Sequence, residues 1–239
     1  MALHFVVDDA SGDSIELTGA EAHHAAAVRR VRVGEDVTVT DGRGTWLTGS
    51  VSSAEPKRVT IAVASRSIVE APARRILLAQ ALAKGDRDEL AVQAATELDI
   101  DGIIPWQAAR SVSRWSGPKA AKGQARWQTI VREAAKQAHR AWIPSVAPVA
   151  STSDLAALAT GARIVVLDPW TTDRVADLDW SGEHDVVLVV GPEGGIAPDE
   201  LATLTEAGAV RARLGQSVLR TSTAGPAALA LLNQAIGRW

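Results

Sequence analysis

Cysteine is missing from this chain of 239 residues, so neither a disulfide nor a thiolate metal site is open to it. Long apolar runs are missing as well. Nothing approaches the roughly 18 to 20 consecutive apolar residues of a membrane span, and the 46% apolar content is that of an ordinary globular protein. The opening M-A-L-H-F-V-V-D-D-A has no basic stretch followed by a long apolar one, so a cytoplasmic location is expected. No G-x-G-x-x-G follows the first strand of the α/β portion, and neither G-x-x-x-x-G-K-[ST] nor a G-x-S-x-G elbow occurs. Ordinary dinucleotide, P-loop and serine-hydrolase readings therefore lose their support. The five histidines, His4, His23, His24, His139 and His184, lack metal-ligand spacing apart from the adjacent pair 23 and 24, which cannot both easily face one ion from a short helix; no metal is expected.

What the chain has is an uneven charge. The net value is −3, yet residues 1–72 hold 7 basic and 10 acidic side chains, 73–143 hold 12 and 7, and 144–239 hold 6 and 11. Between Arg110 and Arg140 there are eight Lys/Arg and one acid, Glu133, with Trp115 and Trp127 interspersed. That is the footprint of a nucleic-acid contact or, equally, of a solvated face.

Short strands with turn punctuation fill the first seventy residues: 3–7, 14–17, 36–40, 45–52 and 58–64, with a helix over 20–31 and a D-G-R-G hairpin signal at 41–44. These imply a small β-barrel, and I-V-E-A-P-A at 68–73 reads as a linker, which puts a boundary after residue 72. Beyond it, strands (75–81, 102–106, 163–168, 185–191, 210–214) alternate with helices (87–98, 123–141, 198–207, 224–236), the pattern of a parallel α/β sheet. In the helix over 123–141, Trp127, Val131, Ala134, Ala138 and Trp142 form one stripe and Arg132, Lys136 and Arg140 another. The nearly uncharged last helix is expected to be buried in the fold or against another subunit.

Two loops stand out. V-V-L-V-V-G-P-E-G-G at 186–195 is an apolar strand that stops in a glycine-flanked turn carrying one carboxylate, Glu193; L-G-Q-S-V-L-R-T-S-T-A-G at 214–225 carries the lone Arg220 among small and hydroxyl residues. Both fall at carboxyl ends of strands, where open α/β sheets bind ligands.

These loops, together with K-G-D-R-D-E-L-A-V-Q-A-A-T-E-L at 84–98, A-R-S-V at 109–112, R-W at 126–127 and E-A-A-K-Q-A-H-R at 133–140, resemble the bacterial 16S ribosomal RNA uracil-N3 methyltransferases of RsmE type, members of the SPOUT class. E-A-H-H-A-A-A-V-R-R-V-R-V-G-E at 21–35, followed by D-G-R-G, is similar to that family's PUA-like RNA-binding domain. The resemblance implies a PUA-like barrel over 1–72 and a SPOUT methyltransferase domain over 73–239, with a trefoil-knotted backbone that periodicity does not reveal. It further implies S-adenosylmethionine as cofactor, a homodimer, and 16S rRNA or the assembled small subunit as partner. Cofactor contacts then fall on Leu167, Pro169, Val190, Gly191, Glu193, Gly194, Gly195, Leu214, Gly215, Val218, Leu219 and Thr223. The chain departs from the family pattern at Gln216-Ser217, where a basic or bulky pair is commoner, at Ser222 for the usual Glu, at Ala94 for Lys and at Arg29 for Leu.

The implied reaction needs a site that favours an anion, because uracil N3 must lose its proton before or during methyl transfer. Arg220 is expected to stabilise that charge. Glu193 is either the base, if burial raises its pKa, or a cap on its own turn, with water or an RNA phosphate as the other proton acceptors. Thr221 and Thr223 are expected just before the last helix, one of them as its N-cap. RNA contacts are expected from Arg29, Arg30, Arg32, Arg110, Arg114, Arg126, Arg132, Lys136 and Arg140; His23 and His24 either pack or stack on a base. Two rivals remain: a SPOUT methyltransferase for another base or a ribose 2′-OH, and a noncatalytic ribosome-assembly factor.

Overall fold

The computed structural model describes residues 2–239. The chain forms two compact units, one of residues 1–71 with Ala135–Ile143 and one of Pro72–Ala134 with Pro144–Trp239.

In the first unit, β1 (Leu3–Val6), β2 (Ser14–Leu17), β3 (Asp36–Thr40), β4 (Thr45–Glu55) and β5 (Arg58–Ile68) make one sheet in the order β1-β3-β4-β5-β2. Alternating positions of every strand, among them Phe5, Leu17, Val37, Leu47 and Ile61, meet in a single core. The D-G-R-G segment does join β3 to β4, with φ of 71° at Gly42 and 97° at Gly44 where a side chain would be strained. β4 and β5 run longer than their apolar alternation, because Ser53–Glu55, with little apolar surface, is still paired, and the turn is Pro56-Lys57. Helix α1 (Gly19–His23) widens into a π-helical turn over His24–Arg29 and stops at Arg30, whose φ is 54°.

The second unit is built on a sheet of six parallel strands, β6 (Ile76–Ala81), β7 (Gly102–Trp106), β8 (Ser145–Val146), β9 (Ala162–Leu167), β10 (Asp185–Val190) and β11 (Val210–Ala212), in the order β11-β9-β10-β6-β7-β8. The Val-rich run of β10 is buried from Val186 to Val190, as a central strand covered on both faces must be. The helices are α2 (Arg87–Glu97), α3 (Pro118–Gln137, which ends in the 135–143 segment), α4 (Thr152–Ala157), α5 (Pro198–Glu206) and α6 (Thr221–Ala235). No helix of the described residues is long and apolar enough to cross a membrane.

Other elements also differ from the sequence pattern. Helix α3 begins five residues early, at Pro118, a residue suited to a first turn. β8 and α4 carry too few apolar residues to show a period, although Ser151 and Asp154 cap α4 reciprocally: Ser151 Oγ accepts the Asp154 N–H at 3.2 Å and Asp154 accepts the Ser151 N–H at 2.8 Å. Helix α6 starts at Thr221 rather than at 224, so neither Thr221 nor Thr223 is an N-cap; both lie inside the helix and Arg220 holds the cap position.

Candidate active site

The loops that leave β9, β10 and β11, with Arg87 at the start of α2 and Arg110 beyond β7, enclose a cavity of about 700 Å³ at the carboxyl edge of the sheet. A strand order that turns between β6 and β10 opens such a crevice, and the volume is that of a small-molecule site. Of the expected cofactor residues, Leu167, Pro169, Val190, Gly191, Glu193, Gly194, Gly195, Leu214, Gly215, Val218 and Leu219 all line it, and so does Arg220. Thr223 does not; it is the third residue of α6 and exposed.

The wall suits a cofactor with an apolar ring system and charged ends. Leu167, Val190, Ile196 and Leu201 supply apolar surface, main-chain groups of two loops supply donors and acceptors, and four arginines and two carboxylates supply charge. The glycines serve different ends. Gly215 has open space where a Cβ would stand, whereas a Cβ on Gly191 would come within 2.6 Å of Ile196 Cγ1, so that glycine is needed for the loop's own folding rather than for ligand clearance. Gly195, at φ 73°, is required by its backbone.

Glu193 is pinned. Its Oε1 accepts from Arg87 Nη1 at 2.9 Å and from the Lys84 N–H at 3.1 Å. Burial alone would raise this carboxyl, but its own backbone N–H, the Arg87 guanidinium and the Lys84 N–H outweigh burial and hold its pKa below the ordinary value. Glu193 is therefore held ionised, with its Oε1 taken up by Arg87 and the Lys84 N–H. From the other side Arg110 Nη1 donates to Gly194 O at 3.0 Å, so segments following β6 and β7 both hold the 191–195 turn.

Asp168, almost fully buried, accepts from Arg211 Nε at 2.8 Å and from the Trp170 N–H at 3.0 Å. Trp170 itself is 81% exposed at the rim. Arg213 lines the cavity with a buried Nε that has no hydrogen-bond partner. The loop from Leu214 ends at Arg220, which sits as a cation at the N-terminus of α6, the end of a helix dipole that repels positive charge. That placement is disfavoured on its own and becomes favourable when an anion occupies the cavity. Arg87, Asp168, Trp170 and Arg213 were not singled out by sequence reasoning. Two signals were present: Asp168 lies between the flagged Leu167 and Pro169, and Arg87 stands in K-G-D-R.

The basic residues divide between the units. Arg29, Arg30 and Arg32 are exposed where α1 ends, and His23 is exposed on that helix while His24 is half-buried. Arg110, Arg114 and Arg126 are exposed in the second unit, Arg126 paired with Glu89; Arg132 and Arg140 are half-buried. Lys136 contradicts its expected role. Its side chain is 4% exposed, and its Nζ lies 2.8 Å from both oxygens of Glu21 and 5.9 Å from the centre of the Phe5 ring, so it is a buried ion-pair partner and not an RNA contact. Trp127 is likewise core, and it meets the half-buried Trp115 edge-on at 5.0 Å.

Comparison with known proteins adds the following. The RNA methyltransferase domain family matches residues 69–233, and the RNA methyltransferase PUA domain family matches 17–64. Ribosomal RNA small subunit methyltransferase E of Mycobacterium bovis is 43% identical over the whole of this chain and 94% of its own length; the Bacillus subtilis protein of that name is 30% identical over 92% of this chain and 90% of its own. The crystal structure of ribosomal RNA small subunit methyltransferase E from Neisseria gonorrhoeae bound to S-adenosyl methionine is 27% identical, covers 98% of both chains and superposes with a TM-score of 0.88.

Proposed function

We propose, from the premise that this chain belongs to the ribosomal RNA small subunit methyltransferase E family, that it transfers a methyl group from S-adenosylmethionine to N3 of a uridine in the 16S rRNA of the small ribosomal subunit. The observation that carries the reading is Arg220: a cation set against a helix dipole at the wall of a cofactor-sized cavity.

The cofactor, when bound, supplies an electrophilic methyl group on a positively charged sulfur. The residues of Leu167–Pro169, Gly191–Gly195 and Leu214–Leu219 would hold it, the apolar side chains excluding water and the main chain orienting its polar ends. Arg220 stabilises the negative charge that spreads onto the uracil carbonyls as N3 loses its proton. Both carboxylates of the wall are committed to arginines, Glu193 to Arg87 and Asp168 to Arg211. The proton therefore leaves to water or to an RNA phosphate, and kcat/KM should climb with pH without an inflection set by a carboxyl group. A break between pH 4 and 7 that vanishes in Glu193→Gln would overturn this assignment.

Arg29, Arg30 and Arg32 of the PUA-like unit and Arg110, Arg114 and Arg126 of the second unit are read as phosphate contacts. A second copy of the chain is read as the cover for Val218 and Leu231, which are 62% and 40% exposed. The family's trefoil knot is read into the passage from β11, at one edge of the sheet, to α6, which packs on β6 and β10. Action on ribosomal RNA fits a cytoplasmic location.

The test is transfer of labelled methyl from S-adenosylmethionine to unmodified small subunits and to free 16S rRNA, with nucleoside analysis. 3-Methyluridine is the expected product, and Arg220→Ala should abolish its formation while cofactor binding survives. A 2′-O-methyl or other base product assigns the chain to a different SPOUT specificity. RNA binding with no product assigns it to noncatalytic assembly.

A further inference from the structure

Gln80 is fully buried in the last turnings of β6, with 0% of its surface exposed, in the midst of apolar neighbours. An uncharged amide at such a place costs stability unless its groups are paired, and here only half of it is. Its Nε2 donates to Thr221 Oγ1 at 2.9 Å and to Ala81 O at 3.2 Å, while its Oε1 has no partner. Thr221 Oγ1 in turn donates to Gly191 O at 2.9 Å.

The direction of this chain is fixed by proton count. A threonine hydroxyl has one hydrogen. Since a carbonyl can only accept, that hydrogen goes to Gly191 O, and the hydroxyl must receive its second bond from a donor, which the Gln80 amide is. Turning the amide round would set its oxygen against both Ala81 O and the hydroxyl's lone pairs. The relay joins three parts of the site: the sheet through Gln80, the first residue of α6 through Thr221, and the cofactor turn through Gly191. Because Pro192 has no N–H, the 191–192 peptide offers only a carbonyl, and the relay turns that carbonyl towards Thr221.

We infer that Gln80 is a positioning residue for methyl transfer: acting through Thr221, it locks the Gly191 carbonyl and the N-terminus of α6 in one register, and so sets Arg220 relative to the cofactor turn. The inference rests on the proposed methyltransferase reading. It also explains why an amide with an unpaired oxygen stands where a leucine or methionine would pack without loss.

Gln80→Met and Gln80→Glu separate positioning from a structural role. Methionine is close in volume and removes the unpaired oxygen, so the thermal midpoint of Gln80→Met should equal or exceed that of the wild type. Its Kd for S-adenosylmethionine, read by calorimetry, should nevertheless rise at least tenfold, and kcat should fall while KM for small subunits stays put. In Gln80→Glu the ionised carboxylate only accepts, so the Thr221 hydroxyl turns to it and leaves Gly191 O unpaired; the protonated acid donates again. Cofactor affinity of Gln80→Glu relative to wild type should therefore recover as pH falls. Wild-type cofactor affinity and kcat in Gln80→Met, or a loss of affinity matched by a loss of folding, would overturn the inference. A wild-type protein that binds no S-adenosylmethionine would overturn the functional reading instead.

Discussion

Two side chains near each other in the first unit show how burial decides what a residue does. His4 stacks on Trp46 at 4.7 Å and on His139 at 5.0 Å, and its Nδ1 lies 2.8 Å from Thr38 Oγ1. Burial first, then the charges of His139 and Lys136, lower its pKa from 6.5 to about 4. A base whose folded pKa is depressed favours the neutral form, so its contribution is complete above pH 6.5 and is lost as pH falls towards 4. At roughly 1.4 kcal/mol per pKa unit the loss amounts to about 3 kcal/mol. Thermal midpoints followed over that window should fall in the wild type and stay nearly level in His4→Phe, which keeps the stack and has nothing to titrate; parallel slopes would remove His4 from the account. Lys136 was legible only as a charge on a helix stripe. Its ion pair with Glu21 joins residues 115 positions apart, and no local pattern announces such a partner.

Helix α6 illustrates the same point one level up. Its apolar body predicted burial correctly, since Gly225, Pro226, Ala228, Leu229 and Leu232 are all covered. Its first turn was hidden because R-T-S-T has hydroxyl residues that favour caps and turns as readily as helix. The tight contact is Gly225, where an added Cβ would stand 2.9 Å from Leu78 Cδ1 and 3.4 Å from Val190 Cγ2. Gly225→Ala should overpack this seam, costing about 1–3 kcal/mol in urea unfolding. The same displacement should weaken cofactor binding, because the turn that moves carries Thr221 and Arg220. Unchanged unfolding would mean that helix and sheet yield at no cost. The strands were easier to read: β10 declared itself by a β-branched run and β6 by an apolar one, whereas β8, two residues long, declared nothing.

At the scale of the whole molecule, the expectation of basic residues acting together divides by exposure. Neutralising Arg29, Arg30 or Arg32 should each weaken RNA binding and reduce the salt slope of log K by about one. Lys136→Met should leave that slope unchanged and instead cost about 3 kcal/mol of stability, because Glu21 loses its buried partner. Filter binding across a salt series, with a denaturation curve for each variant, separates the two effects. A Lys136→Met protein with normal stability and a shallower slope would reverse the assignment. The cavity was legible as two glycine-bearing loops with Arg220 on one of them, but the rest of its arginine rim was not: Arg87 and Arg110 lie far before Arg213 and Arg220 in sequence and reach the same cavity only because parallel strands end on one edge.

The first unit takes its last piece, residues 135–143, from well beyond its own strands. During synthesis the ribosome finishes residue 71 and must add 72 more before that piece is complete, a wait of about 4–14 s at 5–20 residues per second. Through that interval the nascent sheet holds Glu21 without its lysine and His4 with one face of its ring uncovered.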